Sequence, residues 1–127
     1  MKLFELIRGI FTSCVYATHG ILFAARSQRN FRMHLLAAGM VLVGAVALRF
    51  NRLELVLIIL TVSLVILGEL FNTGLEFLLN LLEARDHPTV RAVKDIAAGA
   101  VFMAVVGSIG IGVLLFGPKL LAFVQRR

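Results

Sequence analysis

Residues 55–80 read LVLIILTVSLVILGELFNTGLEFLLN. The first fourteen, Leu55–Gly68, carry no charge, yet the run continues without a break into Glu69, Asn72 and Glu76. Leu70, Phe71, Leu75, Phe77, Leu78 and Leu79 carry the apolar pattern on around these polar positions. The stretch therefore reads as one helix, not as an apolar segment followed by a loop. Followed to Asn80 and Glu83, the polar residues fall in steps of three, four, four and three. At 3.6 residues per turn they share one face, about 21 Å long at 1.5 Å per residue.

The rest of the chain says what surrounds that face. Hydrophobic residues make up 60 % of the 127 and charged residues 16 %, with a mean hydropathy of +0.97. That is too apolar for an ordinary soluble domain, so the bilayer is the expected solvent. Leu35–Leu48 and Ile96–Pro118 are also uncharged, over 14 and 23 residues. A spanning helix needs about 20 residues, so the first of these must borrow Phe31–His34 or tilt less than its neighbours. The expectation is an all-α membrane protein, one domain over 1–127, with membrane helices at 31–50, 53–83 and 92–118. Arg49–Glu54 and Glu83–Asp95 connect them, and Pro88 is expected to break the helix.

Met1–Ala25 differs. Leu3, Leu6, Ile7, Ile10, Phe11, Cys14, Val15 and Ile21 recur at steps of three and four, with Glu5, Arg8, Thr12 and His19 between them. This is an amphipathic helix, and with Lys2 and Arg8 it is expected to lie in the interface plane as a surface helix over 1–30. The alternative is a fourth packed helix. Arg8 and the stretch ARSQRNFR argue against a cleaved signal peptide.

The net charge of +6 points to anionic headgroups and to orientation. Nucleic acid is excluded as a partner because no basic face is interleaved with aromatics. Lys2, Arg8, Arg26, Arg29 and Arg32, with Arg85, Arg91 and Lys94 in the second connection, outnumber Arg49, Arg52, Lys119, Arg126 and Arg127 by eight to five. The amino-terminal segment and second connection are therefore expected on the cytoplasmic side of the inner membrane. The single cysteine, Cys14, excludes an internal disulfide and a cysteine zinc site. His19, His34 and His87 are too scattered for a histidine metal site, with His34 read as interfacial and His87 as a loop residue.

An ionised carboxylate in hydrocarbon costs at least about 2.5–3.5 kcal/mol. Glu69 and Glu76 therefore need compensation from other helices, a metal or water. Asn80 and Glu83, near the interface, read as interhelical glue. Glue does not require acids, so Glu69 and Glu76 read as chemistry. Lys94 and Asp95 open the third apolar segment on the same side, where a cation beside acids can hold a phosphate. Asp95 could equally cap that helix, and Lys94 could simply snorkel. Carboxylates, an amide and a lysine at a membrane surface suit metal-assisted phosphoryl transfer. Mg2+ is commonly held by one or two carboxylates plus phosphate oxygens, and a hydroxyl nucleophile needs a group to take its proton. No P-loop, G-x-G-x-x-G or protein-kinase motif is present.

The stretch GELFNTGLEFLLNLL resembles the E-x-x-N-S/T-x-x-E signature of the small prokaryotic diacylglycerol kinase family. HPTVRAVKDIAAGAV resembles its second block, and ARSQRNFRMHLLAAG is similar to the amino-terminal block of its undecaprenol kinase branch. The similarity runs over roughly residues 8–118. It implies three transmembrane helices plus an amino-terminal surface helix, a homotrimer with active sites shared between subunits, and transfer of the ATP γ-phosphate to a lipid alcohol. Undecaprenol is the favoured acceptor and diacylglycerol the alternative; no obligate partner protein is implied. Carried onto this chain, Glu69 would be the general base, with Asn72 positioning the reacting groups. Glu76 would bind the metal. Lys94 and Asp95 would serve the nucleotide, with Tyr16, Arg85, Asp86 and His87 near it. The chain departs from the pattern at Gln28, three residues before Phe31, where the family carries a second metal-binding glutamate. Gln can offer a carbonyl oxygen there but no charge. It also has Gly9, beside Arg8, where the diacylglycerol branch tends to have Arg. Two other classes remain open on the residues alone. One is a proton carrier using Glu69. The other is a structural membrane subunit whose acids pair with Arg26, Arg29, Arg32 or Lys94.

Overall fold

The structure, a computed structural model, describes residues 2–81 and 87–125. All its regular structure is helical: α1 (Lys2–Ser27), α2 (Arg29–Ala47), α3 (Arg52–Leu81) and α4 (Pro88–Gln125). α3 is central. It packs most extensively on α4, then on α2, and touches α1. By length and composition all four helices could cross a bilayer, α1 included.

The helix boundaries have local causes. α1 and α2 are separated at Gln28, whose backbone is extended (φ −110°, ψ 119°) and whose side chain makes no cap. The carbonyls at the end of α1 are satisfied from the next helix instead. The Arg32 guanidinium donates to the Ala25 and Arg26 carbonyls, each at 3.2 Å. α1 thus ends at Ser27 and α2 begins at Arg29, with Gln28 between them.

α2 ends in a Schellman turn. The Phe50 N–H donates to the Ala45 carbonyl and the Arg49 N–H to that of Val46, both at 3.0 Å. Arg49 takes the left-handed conformation, φ 52°, that this position requires. Asn51 then starts α3. Its side-chain oxygen accepts from the Glu54 N–H at 3.0 Å, and Glu54 Oε2 accepts from the Asn51 N–H at 2.6 Å, a reciprocal capping box. Glu54 also pairs with Lys119 Nζ on α4 at 2.9 Å. That ammonium lies 4.9 Å from the Phe50 ring centroid, and Phe50 stacks on Phe116 at 4.7 Å. One end of the bundle is clasped in this way, around a small core of Ala45, Phe50 and Ile58.

Pro88 follows a non-helical His87 and is the first residue of α4, which therefore begins before the expected residue 92. There its missing N–H costs nothing and its fixed φ suits the helix. His87 caps it, with Nδ1 accepting from the Thr89 N–H at 3.2 Å. Asp95 therefore lies two turns inside α4 and is not its cap. α4 runs on past Pro118 to Gln125, beyond the expected end of the third membrane helix.

Gly44 of α2 lies against Phe116 of α4. A Cβ there would lie 3.1 Å from Phe116 Cε1, and that ring is already engaged by Phe50. Gly44→Leu is expected to cost about 1–3 kcal/mol through overpacking, read as a lower thermal unfolding midpoint in detergent. An unchanged midpoint would show that the two helices do not approach this closely.

Candidate functional site

The polar stripe is not uniformly exposed. Glu69, Asn72 and Thr73 are only 4, 7 and 5 % exposed. Glu76, one turn on, is half-buried, and Asn80 is exposed. Polarity thus runs from the packed interior of the bundle towards the α3–α4 connection. Burial comes from the neighbours that α3 gathers. α4 passes Gly68 at van der Waals distance, since a Cβ there would sit 3.8 Å from Val101 Cγ2 and 3.9 Å from its Cα. Phe31 of α2 is fully buried, and Phe23 of α1 meets Phe77 at 5.1 Å between ring centroids.

Among the described residues neither Glu69 nor Glu76 has an ion-pair partner. The groups that act electrostatically on Glu69 are His34 from α2 and Glu76 from its own helix. Asn72 Oδ1 and Thr73 Oγ1 are buried with no hydrogen-bond partner among the described residues. Such groups cost about 1–3 kcal/mol each when left unmade, which marks them as atoms awaiting something. An acid, a buried amide oxygen and a hydroxyl within one helical turn form an oxygen-donor cluster held in an apolar wall.

Away from the connection, α2, α3 and α4 line a partly open apolar cavity of about 250 Å³, with His34 and Phe116 among its lining residues. Its two hydroxyls, Thr61 and Ser108, are spent on carbonyls of their own helices. Its walls are therefore effectively hydrocarbon.

At the other end, Lys94 Nζ donates to Asn80 Oδ1 at 2.9 Å, joining α4 to the last turn of α3. This brings the Lys94 ammonium to the α3 face that also carries Glu76. Asp95 is exposed beside it. Tyr16 is 69 % exposed on α1 and is not joined to Lys94 or Asp95. His87 caps α4. Arg85 and Asp86 lie outside the described residues, as does Glu83. Gln28 sits half-buried at the α1–α2 junction. No group of three His, Cys, Asp or Glu side chains is clustered for a metal among the described residues. Gln28, Glu76 and the unpartnered Asn72 oxygen are nonetheless hard oxygen donors of the kind that suit Mg2+. Thr73 and His34 were not singled out from the sequence. Thr73 could have been found from its position four residues after Glu69. His34 could not, because its relevance arises from packing between helices.

Comparison with known proteins places the chain among relatives. The family described as prokaryotic diacylglycerol kinase matches residues 15–116. An undecaprenol kinase from Bacillus subtilis is 40 % identical over 110 residues, covering 87 % of this chain and 89 % of that protein. A diacylglycerol kinase from Synechocystis sp. is 32 % identical over 121 residues, covering 94 % of this chain and 69 % of that protein.

Proposed function

The chain belongs to the prokaryotic diacylglycerol kinase family, and from that premise we propose that it transfers the γ-phosphate of ATP to undecaprenol at the cytoplasmic face of the inner membrane. It is a lipid kinase and a multi-pass membrane protein, with a nucleotide as phosphate donor and a lipid as acceptor. The observation that carries the finer reading is the buried Glu69 beside the unpartnered Asn72 oxygen, in the wall of an otherwise apolar bundle.

Glu69 takes the proton of the lipid hydroxyl as that oxygen attacks the terminal phosphorus. The new O–P bond forms as the bond to the departing nucleoside diphosphate breaks, and the proton stays on the Glu69 carboxyl. Asn72 holds the reacting groups in line. The partly open apolar cavity with His34 in its lining supports entry of a hydrocarbon-tailed alcohol from the bilayer side. Glu76 and Gln28 would hold Mg2+, which when bound supplies neutralisation of the phosphate oxygens. Lys94 offers its ammonium to the nucleotide phosphates. Asp95, Tyr16, His87 and the connection residues Arg85 and Asp86 make up the rest of the nucleotide side.

α2, α3 and α4 are the three spans, with α1 in the interface plane and the chain forming one domain. α1 carries Lys2, Glu5 and Arg8 in its first turns and Thr12, Ser13, Thr18 and His19 among its apolar residues, which supports the interfacial placement. The broad apolar outer faces of the single chain, including Phe71, Leu78 and Phe102, suit burial in lipid and in a homotrimer. Diacylglycerol is the second acceptor, favoured by the similarity to the Synechocystis kinase.

The test is ATP- and Mg2+-dependent phosphorylation of both lipids by the purified, folded protein. Faster turnover of undecaprenol is expected, and phosphorylation of neither lipid would overturn the proposal. Run alongside, Gln28→Glu is expected to lower the Mg2+ concentration for half-maximal activity on the order of tenfold, because a carboxylate adds ligand charge. An unchanged Mg2+ requirement would remove Gln28 from the metal site.

A further inference from the structure

The hydrogen bond from Lys94 Nζ to Asn80 Oδ1 spans two helices and 14 residues of sequence. A lysine carries a point charge on a flexible four-carbon stem, with about 2 kcal/mol of rotamer entropy to lose when it is fixed. Its ammonium has three donors. Asn80 engages one of them and leaves two for an anion. Because the acceptor is a neutral amide, the positive charge on Lys94 is not cancelled. Asn80 is also on the same α3 face as Glu76, so the ammonium is held above the acidic stripe instead of pointing freely into the interface. Simple glue between helices would not need to capture this particular group.

We propose that Asn80 is a positioning residue that pre-orders the Lys94 ammonium for the phosphate groups of the nucleotide. The inference rests on the reading of Lys94 as a nucleotide-binding group. Fixing the stem before the nucleotide arrives removes part of the ordering cost of binding. Asn80 therefore acts on nucleotide affinity through Lys94, without touching the reacting atoms.

The test uses the full chain in detergent or nanodiscs and compares Asn80→Ala, Asn80→Asp, Lys94→Met and the Asn80→Ala/Lys94→Met double variant. KM for ATP, kcat, KM for the lipid and the nucleotide-free unfolding midpoint are measured for each. Asn80→Ala is expected to raise KM for ATP about tenfold, the scale of a hydrogen bond to a charged group. Its kcat and lipid KM should stay within about twofold, since no reacting atom loses a partner. Asn80→Asp, which keeps an acceptor oxygen but sets a negative charge against the ammonium, should hold Lys94 and yet leave KM for ATP raised, because the charge offered to the phosphates is offset. The double variant should be no worse than Lys94→Met alone, because coupled residues are non-additive. An unchanged ATP KM in Asn80→Ala, with Lys94→Met impaired, overturns the inference and leaves the role of Lys94 standing. Additive effects, or a loss confined to the unfolding midpoint, reduce Asn80 to a helix staple. An unimpaired Lys94→Met overturns the nucleotide reading of Lys94 and this inference with it.

Discussion

Glu69→Gln is expected to reduce lipid phosphorylation by about 10²–10⁴-fold, the scale of a lost general base, while nucleotide binding stays close to that of the wild type. The substitution keeps volume and hydrogen-bonding capacity at a position that is 4 % exposed, and it removes the carboxylate proposed to accept the proton. It also replaces an acid within an apolar helix by a neutral amide, which is cheaper to keep away from water. The variant should therefore unfold at the same temperature as the wild type or higher, separating lost chemistry from lost structure. Initial rates, nucleotide affinity and the thermal midpoint measured on one preparation check all three parts. Retained turnover in Glu69→Gln would show that the proton goes elsewhere. A collapse of the unfolding midpoint would give Glu69 a role in assembly.

Glu76→Gln should fail differently. Glu76 is half-buried two turns nearer the α3–α4 connection, beyond the unpartnered Asn72 oxygen. With Gln at position 28, its carboxylate would be the one charged ligand of the proposed metal site at these two positions. Its loss should weaken Mg2+-dependent nucleotide binding by at least about 10–100-fold, the range seen even for groups that only orient metal ligands. The defect should diminish as Mg2+ is raised, which the Glu69→Gln defect should not. Titration of Mg2+ at fixed ATP, with nucleotide binding read directly, separates the two. Identical Mg2+ dependence in both variants would undo the division of labour between the acids.

These two predictions concern residues that were legible in the sequence. Spacing of three and four places Glu69, Asn72 and Glu76 on one helical face whatever surrounds them, and the uncharged run before them requires an apolar solvent. The apolar segments of α2 and α4 were legible for the same reason. Local chemistry set the helix boundaries in ways that periodicity does not register. Gln28 adopts an extended backbone although residues on both sides are helical, because Arg32 reaches back to close the end of α1. Pro88 sits at the first position of α4, where its missing N–H costs nothing, so the third apolar helix starts earlier than its hydrophobic run alone suggests.

The partners of the stripe were not legible. The bond between Asn80 and Lys94 crosses 14 residues and the pair of Glu54 with Lys119 crosses 65. Neither leaves a periodic trace, because it depends on how two helices cross. The gradient of burial along the stripe has the same origin. Glu69, Asn72 and Thr73 are equivalent in periodicity to Asn80, yet they alone are closed off, where α4 passes Gly68 and where α2 and α1 pack alongside. Periodicity specifies a direction around one helix axis, and that was enough to read a membrane helix with an acidic face. Burial and partnership are properties of at least two axes, so the packed bundle had to assign which acid is enclosed, which oxygen lacks a partner and which amide holds the lysine.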